Sequence, residues 1–496
     1  MNKIKTIVTF IVLAMVMAVN VLPVMAAKTS LNLGMVLEPP HLDPTAGAAA
    51  AIDEVVYANI FEGLTRIDKN GAVKPALASS WTVSDDKKTY TFNLQKGVSF
   101  HDGASFEADD VVFSLDRARA KDSVNAQKAL FKPIQSVTAL NPHTVVVKLS
   151  QPTGGFLFNM GWGDAVIVDK ASAGKNKSHP IGTGPFKFSK WVKGDRVVMV
   201  RNDAYWGTPV KLKTATIKII PDPAAAVSAM MAGDIDGFAN FPAPESLSQF
   251  KNDPRFKVVI GSTEGETILS TNNQRGPFKN LKVRQAVAHT LDRKAIIDGA
   301  MFGYGTPIGT HFAPHHPAYV DLISTHPLDL AKAKQLLAEA GYPDGFKAVI
   351  KLPPPSYARR GGEIVASQLR KIGIDLEIIP VEWAQWLDQV FKKRDYDLTI
   401  VSHTEPMDIG IYARKDYYFA YDSPEFQGLM QKLAATVNTD ARYEILGQAQ
   451  KLISAECVNG FMFQLAKHGV WNKNIRGLWE NSPVQANDLT DVYWVD

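Results

Sequence analysis

VSFHDGASFEADDVVFSLDR, residues Val98 to Arg117, carries a tight turn at His101-Asp102-Gly103 and a helix start at Glu107-Ala108-Asp109-Asp110. Asp-Gly is turn chemistry, since Asp bonds its own backbone and Gly tolerates positive φ. That reading explains His101 beside Asp102 better than acid–base catalysis does. Asp109 and Asp110 at a helix start complement the helix dipole, and a cap there contributes about 0.5–2 kcal/mol. The stretch therefore reads as architecture: a turn and a capped, half-apolar helix with no reactive constellation.

Strand signals surround it. Trp81-Thr82-Val83 and Thr89 to Leu94 flank a turn at Ser84 to Lys87, and Thr138 to Leu149 holds a second hairpin turning at Asn141-Pro142. Thr29 to Val36 alternates as a first strand, and Ile52 to Leu64 has helical spacing. Ile181-Gly182-Thr183-Gly184-Pro185-Phe186 is a Gly-rich loop. It lacks the Lys-Ser/Thr of a phosphate cradle and precedes a strand instead of opening a helix.

The pattern changes after about Thr271. The spacing predicts one long helix over Phe278–Met301 and others over Leu328–Ala340, Gly361–Ile372, Trp383–Lys393 and Glu425–Ala455. Strands are predicted at Phe346–Leu352, Ile374–Pro380 and Tyr396–Ser402, with two more at Gly460–Gln464 and Lys467–Trp471. Strand-rich first, alternating later, with a short strand-like tail: this predicts two lobes with a two-stranded hinge near residues 270 and 470.

The N-terminus is set apart. Lys3 and Lys5 precede an apolar run from Ile7 to Val19, and Val24-Met25-Ala26-Ala27 offers small residues for cleavage. This is the three-part pattern of a secretory signal peptide. The chain carries +4 overall, and without Lys3 and Lys5 it holds 52 basic against 50 acidic residues. With no polybasic run, the composition gives no support for nucleic-acid binding. Cys457 is the only cysteine, which excludes an internal disulfide and any Cys-rich metal cluster.

Catalytic signatures are missing: there is no Gly-x-Ser-x-Gly and no His-Glu-x-x-His. His311, His315 and His316 in THFAPHHPAY lie between prolines and read as a surface or cleft-rim loop, not a metal site. Three segments follow predicted strands of the second lobe: Pro353 to Arg360, Val381 to Trp386, and Ser402 to Asp408. Loops at the carboxyl ends of such strands form binding crevices. Glu405 stands out as an acid placed directly after a buried-type strand. Trp383 and Trp386 fit either core packing or a cleft stack, and Arg359 fits either the cleft or the surface.

These motifs together resemble the dipeptide/oligopeptide/nickel class, family 5, of extracytoplasmic solute-binding proteins of ABC transporters. The resemblance rests on Leu77 to Phe92, Phe100-His101-Asp102-Gly103 to Val111, and Ile181 to Phe186 with Tyr205-Trp206-Gly207. It rests also on Val283 to Arg293 and Ala333 to Gly341. It implies an α/β (α+β) bilobal, periplasmic binding protein-like fold of class II type with an extra subdomain inserted in lobe one. The implied boundaries are 1–26 signal peptide, 27–270 lobe one with its insert at about 66–180, 271–470 lobe two, and 471–496 a return to lobe one.

The resemblance implies no catalysis and no cofactor. It implies a monomeric periplasmic protein that takes a small-molecule or short-peptide ligand to an inner-membrane ABC permease. Residue by residue, it implies Glu405 as the acid for a ligand's amino group, with Asp408 after it and Glu38 at a cleft position. Trp162, Arg359, Trp383, Trp386 and His403 complete the expected ligand-binding set, and no resident metal is expected. Leu352 stands where peptide-binding members carry an Arg for the peptide carboxylate, a departure from the pattern for ordinary dipeptides. The leading expectation is a peptide-like or amine-bearing solute. The alternatives are a nickel or metallophore carrier, with His403, Glu405 and Asp408 as ligands, and an opine or oligosaccharide carrier.

Overall fold

The computed structural model describes residues 28–47 and 49–495; the expected signal peptide lies outside the described residues. Ser30–Met35 (β1) comes first. Ala78–Val83 (β2), Thr89–Leu94 (β3), Ile134–Asn141 (β4) and Thr144–Leu149 (β5) form a separate antiparallel sheet in the order β2-β3-β5-β4. Alternation explains it: Tyr90, Phe92, Leu94, Val145, Val147 and Leu149 all turn to one buried face. The helix Ala108–Arg119 covers that face through Ala108, Val111, Leu115 and Ala118. Its start is held as the sequence suggests, with Glu107 N donating to Asp110 Oδ2 at 2.9 Å.

Phe186–Val192 (β6), Arg196–Arg201 (β7) and Thr214–Ile219 (β8) form a meander, and β8 pairs in parallel with β1. Gly237–Phe238 (β9), Phe256–Thr271 (β10), Phe346–Leu352 (β11), Ile374–Pro380 (β12), Leu398–His403 (β13) and Asn459–Asn472 (β14) complete the large sheet. Its strand order is β12-β11-β13-β10-β14-β9-β1-β8-β7-β6, with the two-residue strand Thr306–Pro307 also on β14. The parallel pair β11–β12 is joined by the helix Ser356–Arg370, a βαβ unit.

The long strands β10 and β14 pair antiparallel from Phe256 opposite Asn472 to Ser270 opposite Asn459. The predicted strands Gly460–Gln464 and Lys467–Trp471 are one continuous strand. The register of the pair breaks between Ser262 and Glu266, several residues before position 270. On one side of the break, Val258 and Val470 pack with Phe238, Phe241 and Phe250. On the other, Leu269, Met462 and Phe463 join the core beneath β11 and β13. Ile475, Leu478, Leu489 and Val492 of the C-terminal segment share a core with Leu31 and Leu33 of β1.

Four helix predictions need correction. The helical spacing over Ile52–Leu64 yields only the helix Ala50–Val56, because Tyr57 turns extended and Ala58 takes a positive φ. Phe278–Met301 is two helices, Leu281–Ala288 and Arg293–Met301, because Asp292 accepts from Ala295 N and starts a new one. Glu425–Ala455 is likewise two, Pro424–Ala435 and Thr439–Ala455, with Asn438 accepting from Ala441 N. Trp383–Lys393 is a single α-turn, Trp383–Trp386, continued as the π-helical segment Leu387–Lys392.

His101 gives the opening stretch its place in the fold. Its Nε2 meets Gly184 O at 2.9 Å, and Gly182 N donates to its Nδ1 at 3.3 Å. Burial pulls its pKa down to about 4, so a neutral imidazole clamps the Gly-rich loop. The glycines are needed for that approach: a Cβ on Gly184 would lie 2.5 Å from Asn59 O.

Candidate functional site

β13, Leu398-Thr-Ile-Val-Ser-His403, is largely buried between a parallel and an antiparallel neighbour. Its carboxyl end delivers His403, Glu405 and Asp408 to one place. Asp408 accepts from His311 Nε2 at 2.7 Å and from His403 Nδ1 at 3.1 Å. Each imidazole is held from behind: Tyr418 OH lies 2.9 Å from His403 Nε2, and Tyr412 OH lies 3.2 Å from His311 Nδ1. Asn459 Nδ2 donates to the Tyr412 hydroxyl at 2.9 Å.

The two imidazoles hold the Asp408 carboxyl well below the usual carboxylate range despite its burial. His403 is pulled down by burial but raised overall by Asp408, and burial lowers His311. His311, His403 and Asp408 bring three ligand-type atoms within 4.8 Å of one another. All four ring nitrogens are engaged in the hydrogen bonds above, so the trio makes a rigid floor.

His311 is 1% exposed. His311 is thus buried at the floor of the site, while His315 and Pro317 of the same segment are exposed, as a surface or cleft-rim loop would have them. His315 is nearby, with Nε2 2.6 Å from Glu264 Oε1.

Glu405 sits on this floor. Among the described residues its carboxylate accepts from Thr404 N at 3.2 Å and forms no ion pair. Burial, then the charge of Asp408, raises its pKa. Glu266, beyond the β10 register break, is buried and raised for the same reasons, with Glu264 adding to them.

A second group of acids faces this one from the first lobe. Asp164 lies in the short 3-10 turn Gly163–Ala165, and Asp53 in the helix Ala50–Val56. Burial, then the charge of Glu405, pushes Asp164 up to about 7, and burial, then Asp164, raises Asp53. Asp53 Oδ1, Asp164 Oδ1, Trp162 Nε1 and Ser402 Oγ are buried without a hydrogen-bond partner among the described residues. Orphaned buried polar atoms are rare in proteins and need a reason.

Asp53, Tyr57, Trp162 and Gly163 of the first lobe line a cavity of about 20 Å³ together with Pro406, Val484 and Gln485. The lobes touch around it. Gln485 Nε2 donates to Thr404 Oγ1 at 2.9 Å. A larger cavity of about 220 Å³, near Thr45, Arg117 and Val124, holds none of these orphaned groups.

The expected site residues divide. Trp162, His403, Glu405 and Asp408 gather about the junction of the lobes. Glu38 does not join them: its Oε1 accepts from Trp191 Nε1 at 3.0 Å and Gly194 N at 2.8 Å, which binds it to the β6–β7 hairpin. Trp386 is a core residue, 4% exposed, with Nε1 donating to Thr399 Oγ1 at 2.9 Å. Trp383 stacks on Trp386 at 5.2 Å and 7° and leaves its outer face exposed. Arg359 Nη2 reaches Val381 O at 3.4 Å and Glu382 Oε1 at 3.3 Å, while its Nε is orphaned.

Asp53, Asp164, Glu264, Glu266 and His311 were missed as site residues. A signal for two of them was present: Thr263-Glu-Gly-Glu-Thr267 sets two acids around a glycine inside a strand-like run. Asp164 stands two residues after Trp162.

A family model described as bacterial extracellular solute-binding proteins, family 5, middle region, matches residues 72–413. The heme-binding protein A of Haemophilus influenzae is 33% identical over 346 residues, 63% of each chain. The chain thus aligns with less than two thirds of that relative's length. The glutathione-binding protein GsiB of Salmonella paratyphi A is 34% identical over 352 residues, covering 69% of this chain and 68% of that one.

Among solved structures, the ABC transporter-associated periplasmic binding protein DppA from Helicobacter pylori, in complex with the peptide STSA, is similar. Its TM-score is 0.83 at 25% identity, covering 94% of this chain and 98% of that one. The fold is that of the periplasmic binding proteins, mixed α/β with an additional antiparallel subdomain sheet. Non-catalytic solute binding is the business of this group, and by the extent of these matches the chain belongs to the family 5 extracellular solute-binding proteins.

Proposed function

We propose that this protein is the periplasmic substrate-binding component of an ABC importer. It captures a small peptide-like or amine-bearing solute between its lobes and delivers it to an inner-membrane permease. The observation that carries this reading is Glu405: a half-buried carboxylate at the carboxyl end of β13, with no ion-pair partner among the described residues. A charge partly withdrawn from water is stabilised by a counter-charge. An ammonium group on the solute supplies it. Asp408 cannot compete for that role, because two imidazoles already occupy its oxygens.

The departure at Leu352 fits the same reading. Leu352 is buried in the core, so that position offers no guanidinium for a carboxylate, and Arg359 is the nearest cation in the following segment. A solute recognised through its amine more than through its carboxylate suits this balance.

A thermal-shift screen of the purified protein tests the reading, using short peptides, amines, opines, sugars and metal salts. Ligand at 100 times its Kd adds about 2.7 kcal/mol of stability. Stabilisation by amine-bearing compounds alone is expected. Stabilisation by sugars alone, or one equivalent of nickel in gently purified protein, would overturn it.

A further inference from the structure

The carboxylates at the junction outnumber what one ammonium group can neutralise. Asp53 and the turn Gly163-Asp164 reach the cavity at the junction from the first lobe, and the segment Glu405-Pro406 reaches it from the second; none of Asp53, Asp164, Glu405 and Glu266 forms an ion pair among the described residues. Nearby cations are committed elsewhere. Arg66 is paired with Asp488, and Lys467, whose Nζ donates to Trp479 O at 2.9 Å, interacts with the charge of Glu54. We propose that the solute is a polycation whose positive groups seat between Asp164 of one lobe and Glu405 of the other, so that the ligand's charge itself holds the lobes together. This deepens the reading of Glu405 above and rests on it.

The local structure is built to hold the first-lobe acids in place. Gly163 permits Asp53 to press against the turn that carries Asp164: a Cβ there would lie 2.1 Å from Asp53 Oδ1. Asn125 Nδ2 donates to Asp164 O at 2.8 Å and fixes the turn, leaving Asp164 Oδ1 orphaned. Trp162, two residues earlier, lines the cavity between Asp53 and Pro406 and offers an indole face to a cation.

The two acids belong to separate cores. Ala165 and Ile167 beside Asp164 pack in the subdomain, whereas Val401 and Ile409 beside Glu405 pack in the second lobe. Opening the lobes therefore separates Asp164 from Glu405, and closing them without a cation sets like charges together in a dry site. A polycation reverses the sign of that term. Two kinds of solute share this chemistry: a linear polyamine, and a short peptide with basic side chains beside its amino terminus.

Calorimetric titration with spermidine, lysyl-lysine and the neutral-side-chain control trialanine distinguishes these outcomes, on the wild type, Asp164→Asn and Glu405→Gln. The expected result is that spermidine or lysyl-lysine binds at least tenfold more tightly than trialanine, the preferred one identifying the source. Asp164→Asn should weaken that probe at least tenfold, and scattering should show that the probe compacts the wild type but not the variant. Asp53→Asn serves as the second variant if Asp164→Asn does not fold, with a loss in the same direction.

Unchanged affinity in Asp164→Asn alongside a loss in Glu405→Gln would overturn the two-sided grip and leave the role of Glu405 standing. Unchanged affinity in both variants would overturn both. Trialanine binding as tightly as either polycation would overturn the polycation.

Discussion

His311 Nε2 donates to Asp408 Oδ1 at 2.7 Å, a contact between residues 97 apart in sequence. The bond joins the loop before the helix Leu330–Glu339 to the segment after β13, and Asp408 accepts from His403 as well. Asp408 thus ties together the floor on which Glu405 stands. Asp408→Ala removes the shared acceptor and leaves two buried imidazole N–H groups unmet. It should cost about 3–5 kcal/mol of stability, read as a lower urea midpoint with an unchanged slope. A change of less than about 0.5 kcal/mol would mean that the network is not structural.

Asp164 gives a pH signature. Its folded pKa, about 7, lies above the ordinary value of 3.8. Ionising it in the folded state is therefore unfavourable. That cost is absent well below pH 3.8 and grows as the pH rises to about 7. Asp164→Asn should raise the stability of the ligand-free protein by about 1–3 kcal/mol at pH 8 and by nothing measurable near pH 3. Equal effects at both pH values would contradict the assignment. A variant that is more stable yet binds less well is the usual trade at a functional site.

The turn at the centre of the signature stretch has its own test. Gly184 packs its α-carbon against the backbone of Asn59 and Ile60 while its carbonyl meets His101. Gly184→Ala should destabilise by about 1–3 kcal/mol through overpacking. His101→Gln, which keeps a donor, should cost less than His101→Leu, which leaves Gly184 O without its partner. Thermal melts of the three variants would check the ranking, and equal melts would show that His101 does not hold the loop.

Much of this fold can be read along the chain. Alternation predicts β3 and β5, and Gly341 and Gly373, both at positive φ, stand just past the helices Leu330–Glu339 and Ser356–Arg370, next to the predicted ends Ala340 and Ile372. The βαβ unit around Ser356–Arg370 follows from a β-apolar run, a helical run and a second β-apolar run. Helix breaks are less legible. Asp292 and Asn438 act as N-caps inside stretches whose apolar spacing continues on both sides, and the spacing hides the cap.

The site divides in the same way. Glu405 is legible because an acid directly after a buried strand is unusual. Trp386 misleads because three-residue spacing from Trp383 fits a stack in a cleft as well as one in a core. The facing acids are not legible at all. Nothing local in Gly-Asp164-Ala indicates that the turn will close against residue 405, and only the pairing of lobes makes that juxtaposition.

The central claim is that Glu405 provides the counter-charge for a cationic group of the solute. Calorimetric titration of the wild type and Glu405→Gln with the tightest amine-bearing compound from the screen tests it most directly. Glu405→Gln keeps the shape and removes the charge. The predicted result is a loss of about 2–5 kcal/mol in binding free energy, with urea unfolding of the ligand-free variant no less cooperative than that of the wild type. Equal affinity in the two proteins would contradict the account.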